Sequence, residues 1–390
     1  MRGDLERIFR AGVGACRPER VLPPHLPPPP AGTTFVLALG KAAGAMASVA
    51  EARAEGPLAG LAIVPDGVEA ALGRIELVHG SHPVPDERSV AAAGRLLRLA
   101  SSAGADDLVL VLLSGGASSL ACLPSPGLGL AAKQALTQAL LRSGAPIGEV
   151  NCVRRHLSRI KGGRLAFAAA PARLLTLAIS DVPGDAPADI GSGPTAADPT
   201  TVADARRVLA RHGLEAPAAS LSETPDRVPG EFRLVARPAD AIAAAAAEAR
   251  RLGWSPVVLG ECAGEAREVA RAHAGLALNA APGTALISGG ELQVRVTGGG
   301  SGGRNREYAL AAALALAGRD GIAGLAADTD GIDGDGPAAG AFFAGIADPA
   351  AAAALDDNDS GTWFACNGGA FVTGPTGTNV NDLRILLVTS

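Results

Sequence analysis

Short apolar runs alternate with longer alanine-rich stretches along most of the chain. Thr33-Thr-Phe-Val-Leu-Ala-Leu39, Leu61 to Val64, Leu108-Val-Leu-Val-Leu-Leu113 and Leu174 to Ile179 are apolar at nearly every position, the pattern of strands covered on both faces. Between them the spacing predicts helices from Gly40 and Lys41 to about Ala54, from Asp86 to Ala100 and from Leu130 to Arg142. Buried strands separated by helices predict a doubly wound, mainly parallel sheet, an α/β fold of Rossmann-like type. Pro23 to Pro30 is too proline-rich for regular structure and reads as an extended lead-in.

Residues 220–231, Ser-Leu-Ser-Glu-Thr-Pro-Asp-Arg-Val-Pro-Gly-Glu, carry turn formers without periodicity and read as a linker. This predicts a domain over 1–230 and a smaller α/β domain over 231–390. In the second, helices are expected at Asp240 to Leu252 and Gly264 to Leu276, with strands at Pro256 to Leu259 and Thr284 to Ile287. From Glu291 to Thr297 the positions Leu292, Val294 and Val296 alternate with polar ones, the signature of a strand with one wet face. A mixed sheet is expected there.

Composition narrows the class of function. The chain has 390 residues, 48% of them apolar, and a mean hydropathy of +0.24, enough for two cores. With 34 basic against 39 acidic residues, no basic run suits nucleic acid or a membrane surface, so small-molecule partners are expected, and no pattern specifies an oligomer. Five cysteines stand singly, without zinc spacing. Asp4, Glu6, Arg7 and Arg10 break the N-terminal apolar stretches, which argues against a signal peptide and for a cytoplasmic location. Lysine is rare: Lys41, Lys133 and Lys161 stand against 31 arginines, and Lys41, beside Gly40 at a strand end, suits a place needing a compact ammonium.

Residues 298–307, Gly-Gly-Gly-Ser-Gly-Gly-Arg-Asn-Arg-Glu, put glycines and two arginines at the start of a helix-like run. Inward-turned N–H groups and a helix N-terminus predict an anion site there, with Arg304 and Arg306 strengthening it. Gly298, Gly300 and Gly303 formally match the dinucleotide fingerprint, but after a half-polar strand and before Arg-Asn-Arg-Glu the match is weak. Asp328, Asp330 and Asp333 suit a hard cation. An EF-hand is ruled out because its twelfth position is Ala339, which leaves a nucleotide-bound Mg²⁺ or an ordinary aspartate turn.

In the first domain, Asn151 to Gly163 places Arg154, Ser158 and Lys161 at helical spacing, a polar face or a solvated helix end. His156 reads as a satisfied, half-buried histidine. Asp181 follows a buried strand, at the edge where open α/β sheets bind ligands, and is the candidate general base or metal contact; Asp185 reads as a turn cap. Gly191 to Thr195, with Ser192, offers another anion nest. His79 and His82 flank a turn and read as structural.

Several motifs together resemble a known family: Leu39-Gly-Lys-Ala-Ala-Gly-Ala-Met46, Gly80-Ser-His-Pro-Val-Pro-Asp86, Leu113-Ser-Gly-Gly-Ala-Ser-Ser119, Asn151 to Gly163, Ile287-Ser-Gly-Gly-Glu291, Gly302-Gly-Arg-Asn305 and Thr373 to Asp382. In this order they resemble the glycerate 2-kinases of the MOFRL type, over almost the whole chain. The resemblance implies transfer of the γ-phosphoryl of ATP, with Mg²⁺, to the 2-hydroxyl of D-glycerate in a cleft between a glycerate kinase domain and a MOFRL-type domain. It implies catalytic roles for Lys41 and Arg304, to which the residue reading adds Asp181 as base. Substrate or phosphate contacts are expected at Ser114, Gly115, Gly116, Ser118, Asn151, Arg154, Lys161, Ser192, Glu291, Gly300, Gly302, Gly303, Asn305, Thr376 and Asn379, and metal contacts at Asp328, Asp330 and Asp333. The loop at Ser114 departs from the pattern in carrying Ala117 where related chains often have a third glycine.

Two other readings compete. Members of this family have been labelled hydroxypyruvate reductases, which makes NAD(P)H-dependent reduction the alternative. A non-catalytic module binding a sugar acid or nucleotide would explain the loops but not the lysine, arginine and carboxylates together.

Overall fold

The computed structural model describes residues 1–217 and 220–389. The chain forms two compact units, one spanning Val21–Val235, the other joining Met1–Arg20 to the residues from Ala236 onward.

The first unit is built on strands β1 (Thr34–Leu39), β2 (Leu58–Pro65), β3 (Ile75–Gly80), β4 (Leu108–Leu113), β5 (Arg173–Ile179) and β6 (Glu231–Ala236), in the order β3-β2-β1-β4-β5-β6. Strands β1 to β5 pair in parallel. Every residue of β4 is buried, as its unbroken apolar run demands of a central strand. The chain runs outward from β1 through β2 to β3, then crosses to β4 on the other side of β1, so the loops after β1 and β4 diverge at a topological switch point. There, at the carboxyl ends, this architecture leaves a crevice.

The second unit holds β7 (Ser255–Glu261), β8 (Gly264–Glu265), β9 (Thr284–Gly289), β10 (Leu292–Gln293), β11 (Ile322–Asp328), β12 (Gly340–Ala344), β13 (Ala370–Phe371) and β14 (Asp382–Val388). Six of them form a mixed sheet ordered β13-β12-β11-β14-β9-β7, in which only β7 and β9 pair in parallel. The helix Arg304–Ala315 is buried at nine of its positions and packs against this sheet.

Three expectations change. The helix Arg2–Ala15 belongs to the second unit, because its stripe of Leu5, Ile8, Phe9 and Val13 packs with Ile242, Ala245 and Ala246 and with β9, β11 and β14. The division at 230 falls short of β6, the last strand of the first sheet. The alternating strand at 291–297 shrinks to Leu292–Gln293, paired with β8. Beyond it the Asn358 side-chain Oδ1 takes the N–H groups of Thr297 and Gly298, drawing the chain off the ladder and leaving Val296 73% exposed. Among the described residues no helix is long and apolar enough to cross a membrane.

Candidate functional site

In the first unit the loops after β1 and β4 are joined. Lys41 N donates to Gly115 O at 2.8 Å, Ser114 N to Leu39 O at 2.9 Å, and Ala42 N to Ser114 Oγ at 3.0 Å. Gly40 sits at φ +124°, and a Cβ there would lie 2.3 Å from Ser114 Oγ, so only glycine lets the loops approach this closely. Beyond Ser114 the chain turns through Gly116, left-handed at φ +82°, into the short helix Ala117–Leu120. No acceptor inside the protein is found, among the described residues, for the N–H groups of Gly115, Gly116, Ala117 and Ser118. Such a turn, with open amides, is an anion nest.

A hydrogen-bonded chain leads away from this nest. Ser118 Oγ pairs with Ser192 Oγ at 2.9 Å, Ser192 Oγ donates to Asn151 Oδ1 at 3.2 Å, and Asn151 Nδ2 donates to Asp189 Oδ1 at 3.1 Å. Arg155 Nη1 also reaches Asp189, and Arg155 Nε lies 2.8 Å from Asp198 Oδ1. Ser118, Asn151 and Ser192 therefore meet, as expected of one site. His156 is wholly buried against Ser222 O and Asp198.

Lys161 lies beneath the nest rather than in it. The helix Ile147–His156 ends before Ser158 and Lys161, so the expected polar face does not form; Ser158 Oγ instead accepts from the N–H groups of Ile160 and Lys161. The Lys161 ammonium is 2% exposed and donates to Ser118 O at 2.8 Å and Ala121 O at 3.2 Å, clamping the short helix from below. Burial pushes its pKa down to about 7, with Lys133 adding to the effect, and burial lowers that of Lys133 to about 8. Burial also lowers the pKa of Arg154, opposed by the Cys122 thiol alone, so no carboxylate among the described residues answers this half-buried guanidinium. Asp181 is half-buried in the loop that follows β5.

In the second unit the long glycine run plays another part. Gly299 N donates to Asp357 Oδ1 at 3.0 Å, Gly300 N to Asp357 O at 3.0 Å and Ser301 N to Asp359 Oδ1 at 2.9 Å. Asn305 N and Arg306 N both donate to the Asp333 carboxylate, at 2.9 and 3.0 Å. The anion the sequence anticipates at this helix start is thus the chain's own Asp333, with Asp357 and Asp359 along the loop. A Cβ on Gly300 would lie 2.3 Å from Asp359 Cβ, one on Gly302 2.6 Å from Ser360 Oγ, and one on Gly303 2.4 Å from Asp333; these glycines admit neighbouring segments of the protein rather than a ligand. Arg306 is spent on Asp333, 3.0 Å from its Nε.

Arg304 lies at the centre of a charged cluster. Its Nε reaches Asp382 at 2.9 Å and its Nη2 reaches Asp328 at 2.9 Å, while Nη1 pairs with Glu291. Burial opposes its charge, but Asp382, Asp328 and Glu291 outweigh burial and raise its pKa. Asp382 also accepts from Asn305 Nδ2 at 2.8 Å and from Arg384 Nη1 at 3.1 Å. Thr376 bridges to Thr329 O, and Asn379 Oδ1 accepts from Asn381 N, fastening residues 376–381 beside the turn after β11. Arg384 escapes the sequence reading, and Asp382 enters it only as the end of the Thr373–Asp382 motif, with no role; the available signal is a guanidinium in the otherwise apolar Leu383-Arg-Ile-Leu-Leu-Val388, where it is fully buried.

The three aspartates offered for a metal do not form a chelating set. Asp333 has both oxygens on the helix start; burial raises its pKa while the Asn305 and Arg306 amides pull it down. Asp328 serves Arg304 and the N–H of Asp330, and Asp330 accepts from Ile332 N. Among the described residues no group of three or more His, Cys, Asp or Glu is arranged to hold an ion. A dedicated Mg²⁺ cage does not fit this donor set.

Comparison with known proteins gives this geometry a setting. Residues 4–223 match a domain of unknown function (DUF4147) and residues 284–382 the MOFRL family. A protein of Agrobacterium vitis, provisionally named hydroxypyruvate reductase, is 46% identical over 98% of this chain and 94% of its own length. The D-glycerate 2-kinase of Thermotoga maritima is 38% identical over 98% of this chain and 97% of its own. The crystal structure of a Thermotoga maritima glycerate kinase superposes with a TM-score of 0.88 at 37% identity, covering 98% of both chains. With both profiles in order and relatives aligned end to end, the chain belongs to the glycerate 2-kinases of the MOFRL type.

Proposed function

We propose that this enzyme transfers the γ-phosphoryl group of ATP to the 2-hydroxyl of D-glycerate, giving 2-phosphoglycerate and ADP. The observation that carries the reading is the contrast between the two glycine loops: the amides of Gly115 to Ser118 have no acceptor among the described residues, whereas those of Gly299, Ser301, Asn305 and Arg306 are filled by the chain's own carboxylates and that of Gly300 by the Asp357 carbonyl.

Phosphoryl transfer asks mainly for alignment and for positive charge around the equatorial oxygens. The Gly115–Ser118 amides and Lys41 provide these on the proposed reading. Arg154, with no carboxylate opposite it among the described residues, suits the carboxylate of glycerate, and Asp181 is the proposed acceptor of the 2-hydroxyl proton. Arg304, held charged by its three acids, is the proposed second cation. Magnesium, carried on the nucleotide's own phosphates, supplies charge neutralisation when bound.

The reductase alternative draws on the names of close relatives. Against it, the fingerprint-like Gly298, Gly300 and Gly303 face Asp357, Asp359 and Asp333 at distances that leave a pyrophosphate no place. Incubation with MgATP and D-glycerate, with the phosphorylated position read by ³¹P NMR, tests the proposal. A parallel assay of NADH oxidation by hydroxypyruvate tests the alternative, and inactivity in both would favour a binding module. Lys41→Ala should lower kcat by at least about 100-fold with unfolding unchanged; full turnover would remove Lys41 from the mechanism.

A further inference from the structure

We infer that His82 is a further substrate-contact residue, its Nε2 edge facing the phosphoryl oxygens handled at the Gly115–Ser118 nest; this rests on the kinase reading above.

A side chain added to Gly116 would begin 3.2 Å from His82 Cδ2, 3.4 Å from His82 Nε2 and 3.3 Å from Lys41 Cγ. The imidazole edge and the lysine stem therefore flank one point on the nest, where glycine leaves the backbone bare. His82 is itself exposed, so its ring contributes little burial, yet the turn carrying it is held at four places. Ser81 N donates to Ser89 Oγ at 3.0 Å, Ser119 Oγ to Pro83 O at 2.7 Å, and Gln134 Nε2 to Pro85 O at 2.6 Å. Gly80 packs so closely that a Cβ there would lie 2.7 Å from Leu120 O. Ser119 and Leu120 belong to the short helix that follows the nest, so the turn and the open amides are parts of one rigid assembly. An imidazole edge fixed beside the lysine stem and the backbone amides of the nest is a recognition group for a phosphoryl oxygen.

The test compares His82→Ala, His82→Gln and His82→Asn with the parent in steady-state kinetics for ATP and D-glycerate and in calorimetric binding of a non-hydrolysable ATP analogue with Mg²⁺. A lost hydrogen bond to a charged oxygen should lower kcat/KM by about 10- to 100-fold in His82→Ala, with the melting temperature unchanged. The Gln amide nitrogen reaches the place of Nε2, so His82→Gln should recover most of the loss and His82→Asn should not. Parental kinetics and analogue affinity in His82→Ala overturn the inference, as does a Gln variant no better than Asn. If the parent fails to phosphorylate glycerate, the kinase reading fails by itself; analogue affinity still reads His82, and equal affinity in parent and His82→Ala, or none in the parent, overturns the contact.

Discussion

Replacing Lys161 with methionine should make the protein more stable and less active at once. The fall of its pKa from 10.5 to about 7 corresponds to about 5 kcal/mol of destabilisation for an ammonium held away from water. The variant also loses the hydrogen bonds to Ser118 O and Ala121 O, and leaving those carbonyls unmatched costs about 1–3 kcal/mol. A net gain of about 2–4 kcal/mol is expected where the ammonium is charged in both states, below about pH 7. Between about 7 and 10.5 the folded parent has released a proton that the unfolded chain still binds, so the parent's stability climbs with pH and the advantage of the variant shrinks. Urea denaturation of both proteins at pH 6, 7.5 and 9 measures this. With its short helix unclamped, the variant should turn over more slowly at every pH. A stability difference that does not vary with pH, or a variant weaker than its parent at pH 6, would refute the reasoning.

Asp333→Ala removes the acceptor of two helix-start amides and leaves Arg306 buried without its acid; a loss of about 3–5 kcal/mol in urea is expected, and under 1 kcal/mol would show that Asp333 is not the helix's anion. Gly300→Ala sets a Cβ against Asp359 and should cost about 1–3 kcal/mol, while Gly299→Ala, with nothing within 4 Å, should change stability by less than about 0.5 kcal/mol; equal effects would deny the close packing. Phe9→Ala empties a place 5.3 Å from the Phe371 ring and should cost about 3–5 kcal/mol, read by thermal unfolding, and a neutral result would detach the first helix from the second unit's core.

The first sheet was legible because its strands are short apolar blocks between helical stretches, and β4, apolar at all six positions, stands where its run puts it. The second unit was harder to read. Its alternating 291–297 stretch looks like a strand, yet Asn358, some sixty residues downstream, claims the amides that would pair it; no local pattern announces such a partner. The chemistry of Gly298–Glu307 was sound, since donors do turn toward anions there, but the anions are Asp333, Asp357 and Asp359, and a sequence window does not distinguish a guest from a later part of the same chain. The shorter Ser114–Ser119 loop, less conspicuous in composition, leaves the amides of Gly115 to Ser118 without an acceptor among the described residues. Ser118, Ser192 and Asn151 meet in one hydrogen-bonded chain, whereas the helical spacing of Arg154, Ser158 and Lys161 carries no face because the helix stops at His156.

The placement of Arg2–Ala15 against Ile242, Leu383 and Ile385 has a consequence for biosynthesis. The surface that covers its oily stripe begins at Ile242 and ends at Leu387, so it is completed on the order of ten seconds to a minute after the helix at ~5–20 residues per second. Until Ile242, Ala245 and Ala246 are made, Leu5, Ile8, Phe9 and Val13 have no native cover. The nascent polypeptide therefore carries a sticky segment at least until the helix Pro238–Arg251 has been made, an address for a holding chaperone and the place where aggregation would begin.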